Sequence, residues 1–312
     1  MLDFCTLGID TSNYTTSAAL LENGVVDSRG KLLPVKAGEI GLRQSDAVFH
    51  HTRQLPEVMA ALGSRIGGAR AVGVSNRPRD KEDSYMPCFL VGLGTAQMLG
   101  QALGIPVYRF SHQQGHIAAA LYSANRLELL KRRFLAFHLS GGTTEAVLVE
   151  PDTTGRLFTT KLVASSLDLK AGQVIDRIGV MLGLPFPAGK HLDPLACAYT
   201  GKIKARASMK GTSCSLSGVE NKCRTLLERG APKEEIAATC MAYVLASVDG
   251  MCAALLNEYG ELPVLFSGGV SSNSMLRAQM AAKYGAIFAE PRFSADNAAG
   301  AAVLASLCEE GF

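Results

Sequence analysis

Two histidines, His112 and His116, stand four residues apart in the run SHQQGHIAAAL. On a helix that spacing brings both rings out on one face about one turn apart, where two imidazoles can share a divalent ion. A zincin protease is excluded: H-E-x-x-H needs a glutamate directly after the first histidine as general base, and Gln113, Gln114 and Gly115 fill the gap. A third ligand has to come from elsewhere in the chain. Asp296, in FSADNAAGAAVLAS, is the candidate, although a carboxylate at the mouth of the last helix serves equally as a cap for the backbone amides that follow.

A second kind of chemistry is written in three loops. Phe4 to Glu22 reads FCTLGIDTSNYTTSAALLE and Phe134 to Glu150 reads FLAFHLSGGTTEAVLVE: one hairpin written twice, each copy a buried strand, a polar loop and a returning strand that ends in glutamate. Loops of Gly, Ser and Thr leave backbone N–H groups and hydroxyls to face an anion. A third such loop, Ser267-Gly268-Gly269, follows LPVLF. Any one of them reads as an ordinary β-turn. Three together, two with matching flanks, point to a nucleotide cleft between duplicated lobes.

The elements that must carry these groups alternate along the chain. Strands are predicted over Phe4–Ile9, Thr16–Leu21, Ala71–Ser75, Ile105–Tyr108, Phe134–Leu139, Ala146–Val149, Val264–Phe266 and Ala286–Ala289. Helices are predicted near Gln44–Leu62, Phe89–Leu103, Gln113–Leu130, Ala171–Leu182, Lys190–Tyr199, Glu234–Tyr259, Ser274–Tyr284 and Ala298–Glu309. This is an α/β fold of two similar lobes, 1–130 and 131–312, with the last helix packing back at the lobe junction.

Composition sets the class. A chain of 312 residues with 47% hydrophobic content builds about two full cores. Asp3 and the lack of a basic segment before the first apolar residues do not read as a signal peptide. The most apolar helical stretch, Ile236–Leu256, is interrupted by Asp249 and Gly250, so no membrane partner is expected. Eight cysteines without a C-x-x-C pair fit reduced, mostly buried thiols and a cytoplasmic chain. A net charge of +3 does not argue for nucleic acid, but Lys202, Lys204, Arg206 and Lys210 fall in a stretch with no acid between Asp193 and Glu220. That stretch reads as a solvated loop or as one that touches phosphates. His138 reads as a hydrogen-bonded core histidine, and His50 and His51 as surface or capping groups.

In order, GIDTS, SHQQGH, LSGGTTE, VIDRIGVMLGLPFPAG, SLSG, SGGVSSNSMLR and ADNAA resemble the TsaD family, the tRNA threonylcarbamoyladenosine synthases once called sialoglycoprotein endopeptidases. The resemblance runs from Leu7 to about Leu304. It implies two duplicated actin-like, ribonuclease H-like lobes around a nucleotide cleft, as in the actin and sugar-kinase superfamily. It implies one Fe or Zn ion on His112, His116 and Asp296. It also implies an adenine nucleotide, ATP, AMP or an acyl-adenylate, at Ser140, Gly141 and Gly142, with Asp176 on the ribose and Gly189, Asp193, Gly269 and Asn273 around it. The acceptor implied is tRNA, and the protein partner a TsaD- or TsaB-like chain or a second copy.

The departures fall on the substrate side. After GIDTS the family continues Cys-Asp-Glu-Thr, where this chain has Asn13, Tyr14, Thr15 and Thr16. Thr143 and Glu145 replace the His and Gln of S-G-G-H-T-Q, the charged run Arg77–Asp83 replaces G-P-G-L, and Glu220 replaces the Lys of S-F-S-G-L-K. Asp10, the acid of GIDTS, and Thr143 remain as candidate catalytic residues. The first reading is an acyltransferase of the threonylcarbamoyl type or a variant with a changed acceptor, with transfer to tRNA weak or absent for this chain alone. A non-catalytic nucleotide-binding paralogue that regulates a true family member is the alternative, favoured by the lost acids and opposed by the kept metal ligands. A small-molecule kinase is the third, and no aspartate base for it stands out.

Overall fold

The computed structural model describes residues 2, 4–12, 14–34, 42–81, 83–152, 157–294 and 298–312. The chain divides into two units, one of Met1–Leu130, Pro151–Thr159 and Arg292–Phe312, the other of Lys131–Glu150 and Thr160–Pro291.

The first unit opens with β1 (Thr6–Asp10), β2 (Thr15–Glu22) and β3 (Val25–Leu32), followed by α1 (Gln44–Ala60), β4 (Ala71–Arg77), α2 (Phe89–Leu103), β5 (Val107–Ser111) and α3 (His112–Ser123). Its sheet has the order β3-β2-β1-β4-β5, antiparallel across the hairpins and parallel from β1 through β4 to β5. All of β1 is buried, as the central strand of a covered sheet requires. β3 is a mostly exposed edge strand with no apolar alternation, which is why its sequence, VVDSRGKL, gives no strand signal. α3 stops at Ser123 rather than near Leu130: Asn125 takes a left-handed backbone (φ 53°), and Leu129 and Leu130 are buried by a short 3-10 turn instead.

The second unit repeats the plan with β6 (Phe134–Leu139), β7 (Thr144–Pro151), β8 (Phe158–Ser165), α4 (Ala171–Met181), α5 (Gly189–Ala198), a small hairpin of β9 (Ser208–Lys210) and β10 (Ser213–Ser215), α6 (Ser217–Glu228), α7 (Lys233–Tyr259), β11 (Val264–Ser267), α8 (Ser274–Tyr284) and β12 (Ile287–Phe288). Its sheet runs β12-β11-β6-β7-β8, the first sheet's arrangement again. Even the register is kept. Thr6 faces Leu21 and Asp10 faces Ser17 in the first hairpin; Phe134 faces Val149 and His138 faces Glu145 in the second. Phe137, Phe266 and Phe288 stack across β6, β11 and β12 with centroids 4.8 and 5.2 Å apart. α7 is long and apolar enough to cross a membrane by length and composition, and it runs unbroken through Asp249 and Gly250. It nevertheless buries Ile236, Cys240, Val244, Val248, Met251 and Leu255 in the core of this unit.

Sequence reading passed over α6. Asp168 caps it from outside: its Oδ1 accepts from the Leu216 amide (2.7 Å), and its Oδ2 from the amide (3.2 Å) and hydroxyl (2.7 Å) of Ser217. Burial pushes the Asp168 carboxyl up, but these donors outweigh it and hold it below the usual range. The folded state therefore keeps this acid ionised to lower pH than the unfolded chain, so the stabilisation is complete above the unfolded value of about 3.9 and fades as pH falls through the folded one. Asp168→Ala is expected to cost about 1 kcal/mol at neutral pH, the exposure of the site keeping it there. Urea unfolding at pH 7 and near pH 3 checks it: the gap to the wild type should narrow at the acid end.

One boundary differs from expectation. The last helix, α9 (Ala299–Glu309), belongs to the first unit and not to the 131–312 lobe. Gly8 in β1 and Gly73 in β4 are the reason: a Cβ on either would collide with the backbone carbonyl of Ala298 or Ala301, so only glycine lets the helix settle on the sheet. Thr6 Oγ1 then donates to the Ala302 carbonyl at 2.8 Å.

Candidate active site

In the first unit, parallel strands deliver three polar groups to one point. Asp10 ends β1, Ser75 lies in β4, and β5 passes without a linker into α3, whose first residue is His112. Ser111 caps α3, accepting from the Gln114 amide (3.1 Å) while its own amide donates to Gln114 Oε1 (2.8 Å), a capping box that fixes where His112 begins. Gln114 Nε2 also donates to the Phe158 carbonyl at 3.0 Å. A Cβ on Gly300 would collide with the Gly115 carbonyl, so α9 crosses α3 in backbone contact one residue before His116.

The Asp10 carboxylate is buried, and every donor around it is aimed inward. Oδ1 accepts from the Ser12 amide (2.8 Å) and from the Ser12 hydroxyl; Oδ2 accepts from the Ser75 hydroxyl (2.5 Å) and His112 Nδ1 (2.8 Å). Burial raises its pKa, yet the His112 charge and the bonds from His112, Ser12 and Ser75 win, and the acid is held below its usual range. Ser12 Oγ lies 2.9 Å from His112 Nδ1, the same nitrogen that Asp10 engages. Nε2 is 3.4 Å from the same hydroxyl, but Ser12 Oγ donates its proton to Asp10 itself, whereas a serine–histidine–aspartate relay has the serine give its proton to the imidazole and the acid hold the far side of the ring, so this cluster is not one. With Nδ1–H given to Asp10, loss of the ring's other proton leaves the lone pair on Nε2, the form a metal ligand takes. The His116 ring packs edge-on against it with centroids 4.3 Å apart. Two imidazoles, one oriented by a carboxylate, fit a borderline cation such as Fe or Zn. Asp296 lies outside the described residues; among those, no third side chain completes a metal cluster.

The charged run that follows β4 sits at the same end of the sheet. Arg77 is paired with Ser111 in the β4–β5 ladder and bonded to Asp80 at 2.7 Å, and Pro78 accepts from the Gln113 amide at 3.1 Å.

In the second unit the Ser140–Thr143 loop is a closed turn. The Ser140 amide donates to the Thr143 carbonyl (2.7 Å), and the Thr143 amide to Ser140 Oγ (3.1 Å). The turn rests on the first turn of α4: the Gly172 amide donates to Ser140 O at 3.2 Å, and a Cβ on Gly172 would come within 2.7 Å of Ser140 O and of Gly141. Gly141 and Gly142 are left exposed beside a helix N-terminus, a place that suits phosphate. Asp176 on α4 accepts from the Ala188 amide with Oδ1 (2.8 Å), which ties α4 to the start of α5 at Gly189. Asp193 and Asn273 are spent on each other. Asn273 Nδ2 donates to Asp193 Oδ1 (2.7 Å), its Oδ1 accepts from the Leu276 amide (3.0 Å), and Asp193 also holds the Ser274 amide (3.1 Å) and hydroxyl (3.0 Å). They pin the turn that begins at Gly269 to α5.

Comparison of the sequence with known families decides what the residues belong to: the profile of TsaD, tRNA N6-adenosine threonylcarbamoyltransferase, matches residues 50–303. The chain belongs to the TsaD family. A TsaD relative from Chlorobium chlorochromatii is 30% identical over 96% of this chain and 91% of its own, and one from Thermus thermophilus is 30% identical over 87% and 82%. Both carry the name of a transferase enzyme. Solved structures agree on the fold: HypF from T. kodakarensis has a TM-score of 0.62 (15% identity, 99% of this chain and 48% of that one), and the activator of 2-hydroxyisocaproyl-CoA dehydratase from Clostridium difficile one of 0.55 (17%, 98% and 96%). A ROK family glucokinase from Streptomyces griseus reaches 0.51 (13%, 96% and 99%). These neighbours are actin-like α/β proteins, as the doubled sheet implies.

One polar group differs from its reading in sequence. His51 is not a surface group: it is fully buried, and its Nδ1 donates to Thr16 Oγ1 (2.8 Å), which donates in turn to Gln54 Oε1 (2.9 Å). Glu220, the acid where the TsaD family carries a lysine, has its own cations in Arg177 (2.9 Å) and Arg224 (2.8 Å), and the Arg177 bond foremost lowers its pKa. His138 is the hydrogen-bonded strand residue expected, 3.1 Å from Ser267 Oγ.

Proposed function

We propose that this chain transfers a threonylcarbamoyl group to adenosine of tRNA, with a metal ion on His112, His116 and Asp296 and the adenylate at the loops of the second unit. The observation that carries it is His112, committed through Nδ1 to a buried Asp10 and packed edge-on against His116, in a chain that matches the TsaD family over most of its length. The ion would act as a Lewis acid on the acyl carbonyl. Asp10 holds the imidazole in its ligating tautomer. Gly141 and Gly142 offer backbone N–H groups to the phosphate, and Asp176 offers its second carboxylate oxygen to a ribose hydroxyl. Asp193, Asn273 and Gly269 set the loop geometry rather than touch the nucleotide. Thr143 cannot move a proton as a histidine would, and this together with the missing acids after Ser12 makes transfer slower than in a standard TsaD, by roughly 10² to 10⁴ if a general acid or base is lost. A TsaB-like subunit or a second copy as partner, and a cytoplasmic location, belong to the same reading.

Reconstitution with threonylcarbamoyl-adenylate, tRNA and partner subunits, read by mass spectrometry of the modified adenosine, is the test. Slow turnover that disappears together with the bound metal in a His112→Ala, His116→Ala variant is expected; no modified base under any partner combination would sink the assignment. Independently, Asp176→Ala should weaken AMP binding by about 1–3 kcal/mol in calorimetry while leaving metal content unchanged. Unchanged AMP affinity would remove Asp176 from the nucleotide site.

A further inference from the structure

The segment between α5 and β10 has no part in the sites above, and its side chains alternate. Lys202, Lys204, Arg206, Ser208 and Lys210 are exposed, whereas Ile203, Ala205, Ala207 and Met209 are half-buried. Ile203 and Met209 pack on the core of the second unit. The backbone is drawn close to α7 at Gly250, where a Cβ would come within 2.9 Å of Met209 Sδ and 3.4 Å of the Ala207 Cβ. A segment whose burial alternates residue by residue presents its exposed side chains along one side as a line. Lys202, Lys204 and Arg206 therefore follow one another at about 6.6 Å, two residues of extended rise, and Lys210 continues the line past Ser208. That pitch is on the scale of the phosphate repeat along one nucleic acid strand.

The line is also not neutralised. No acid occurs between Asp193 and Glu220 in the sequence. Among the described residues none of these four cations is in an ion pair. The acid next to Gly250, Asp249, is spent on Lys283 (2.7 Å) and Tyr284 (2.7 Å). Glu220 at the far end is spent on Arg177 and Arg224. Four unpaired, exposed cations within nine residues give this edge of the second unit a local positive potential that attracts a polyanion.

We propose that residues 202–210 form a binding strip for the phosphate backbone of a nucleic acid strand, contacting it without reading its bases. The proposal rests on tRNA being the acceptor. The probe is unmodified tRNA titrated by fluorescence anisotropy at several salt concentrations, against the full-length protein and a variant with Lys202→Gln, Lys204→Gln, Arg206→Gln and Lys210→Gln. All four side chains are exposed, so unfolding temperature should be nearly unchanged, and AMP binding should be as in the wild type. The variant is expected to bind tRNA at least tenfold more weakly at low salt and to lose up to about three units from the slope of log affinity against log salt, near 0.7 to 0.9 per lost phosphate contact. Replacing the three lysines with arginine instead should keep the slope. Equal affinity and slope in the wild type and the glutamine variant would overturn the strip while leaving the transferase assignment standing. Absence of any tRNA binding by the wild type, alone and with the partner subunits of the reconstitution, would overturn both. A variant that loses binding only to phosphatidylserine vesicles, with tRNA binding intact, would make the strip a lipid contact and overturn the proposal.

Discussion

Asp10→Ala is expected to destabilise the protein by roughly 3 kcal/mol or more and to abolish metal retention. The alanine leaves the Ser12 amide and hydroxyl, the Ser75 hydroxyl and His112 Nδ1 in a buried pocket without their common acceptor, and an unsatisfied buried donor costs about 1–3 kcal/mol. Some donors will find one another, so the sum is not additive. Asp10→Asn separates the two effects. It keeps the shape and one acceptor oxygen but can meet His112 with an amide N–H, which favours the tautomer whose lone pair faces the wrong way. Its stability should fall little and its metal affinity about 10- to 100-fold, the usual effect of removing such an orienting group. Urea unfolding gives the first quantity; metal competition against a chelator gives the second. Metal affinity in Asp10→Asn equal to that of the wild type would show that His112 needs no orientation from Asp10.

Gly300→Ala should be the most damaging single methyl group in the first unit. The added carbon meets the Gly115 carbonyl, not a side chain that can swing away, and α3 and α9 must separate to admit it. A cost of about 3 kcal/mol follows from overpacking of this kind, or roughly 6–12 °C in melting temperature for a unit of this size. Metal should be lost too, since His116 is next to Gly115 on one helix and Asp296 lies shortly before the other. Gly67→Ala is the control: nothing lies within 4 Å of its added Cβ, and it should melt with the wild type. A normal melting temperature and normal metal content in Gly300→Ala would mean that the two helices cross more loosely than their backbone contact indicates.

Much of this was legible in the sequence because the signals were local. Central strands such as TLGID and FLAFHL are apolar runs with polar loops behind them, and the two hairpins repeat residue types as well as order. The edge strands β3 and β8 were missed because half-exposed strands carry mixed polar residues, and pairing with a neighbour, not composition, makes them strands. α6 was missed because its cap, Asp168, is supplied from 48 positions away in sequence from Leu216. The same limit applied to the candidate site. The spacing of His112 and His116 was readable, but nothing local joins His112 to Asp10 across 102 positions, or seats α9 on the first sheet. The glycines that allow that seating, Gly8 and Gly73, sit inside strand patterns, where a missing side chain marks the approach of another backbone.

Two copies of a hairpin held in a symmetric dimer must carry the same residues, because one gene writes both. Joined in one chain they are free to part. The position of Asp10 in the first hairpin is that of His138 in the second, and each is bonded to a different neighbour, Asp10 to His112 and His138 to Ser267. Ser12 serves the acid beside it, while its counterpart Ser140 closes a glycine turn. One chain that carries both copies can therefore give the same loop position two different hydrogen-bonding duties, orienting a buried imidazole in the first hairpin and closing an exposed glycine turn in the second.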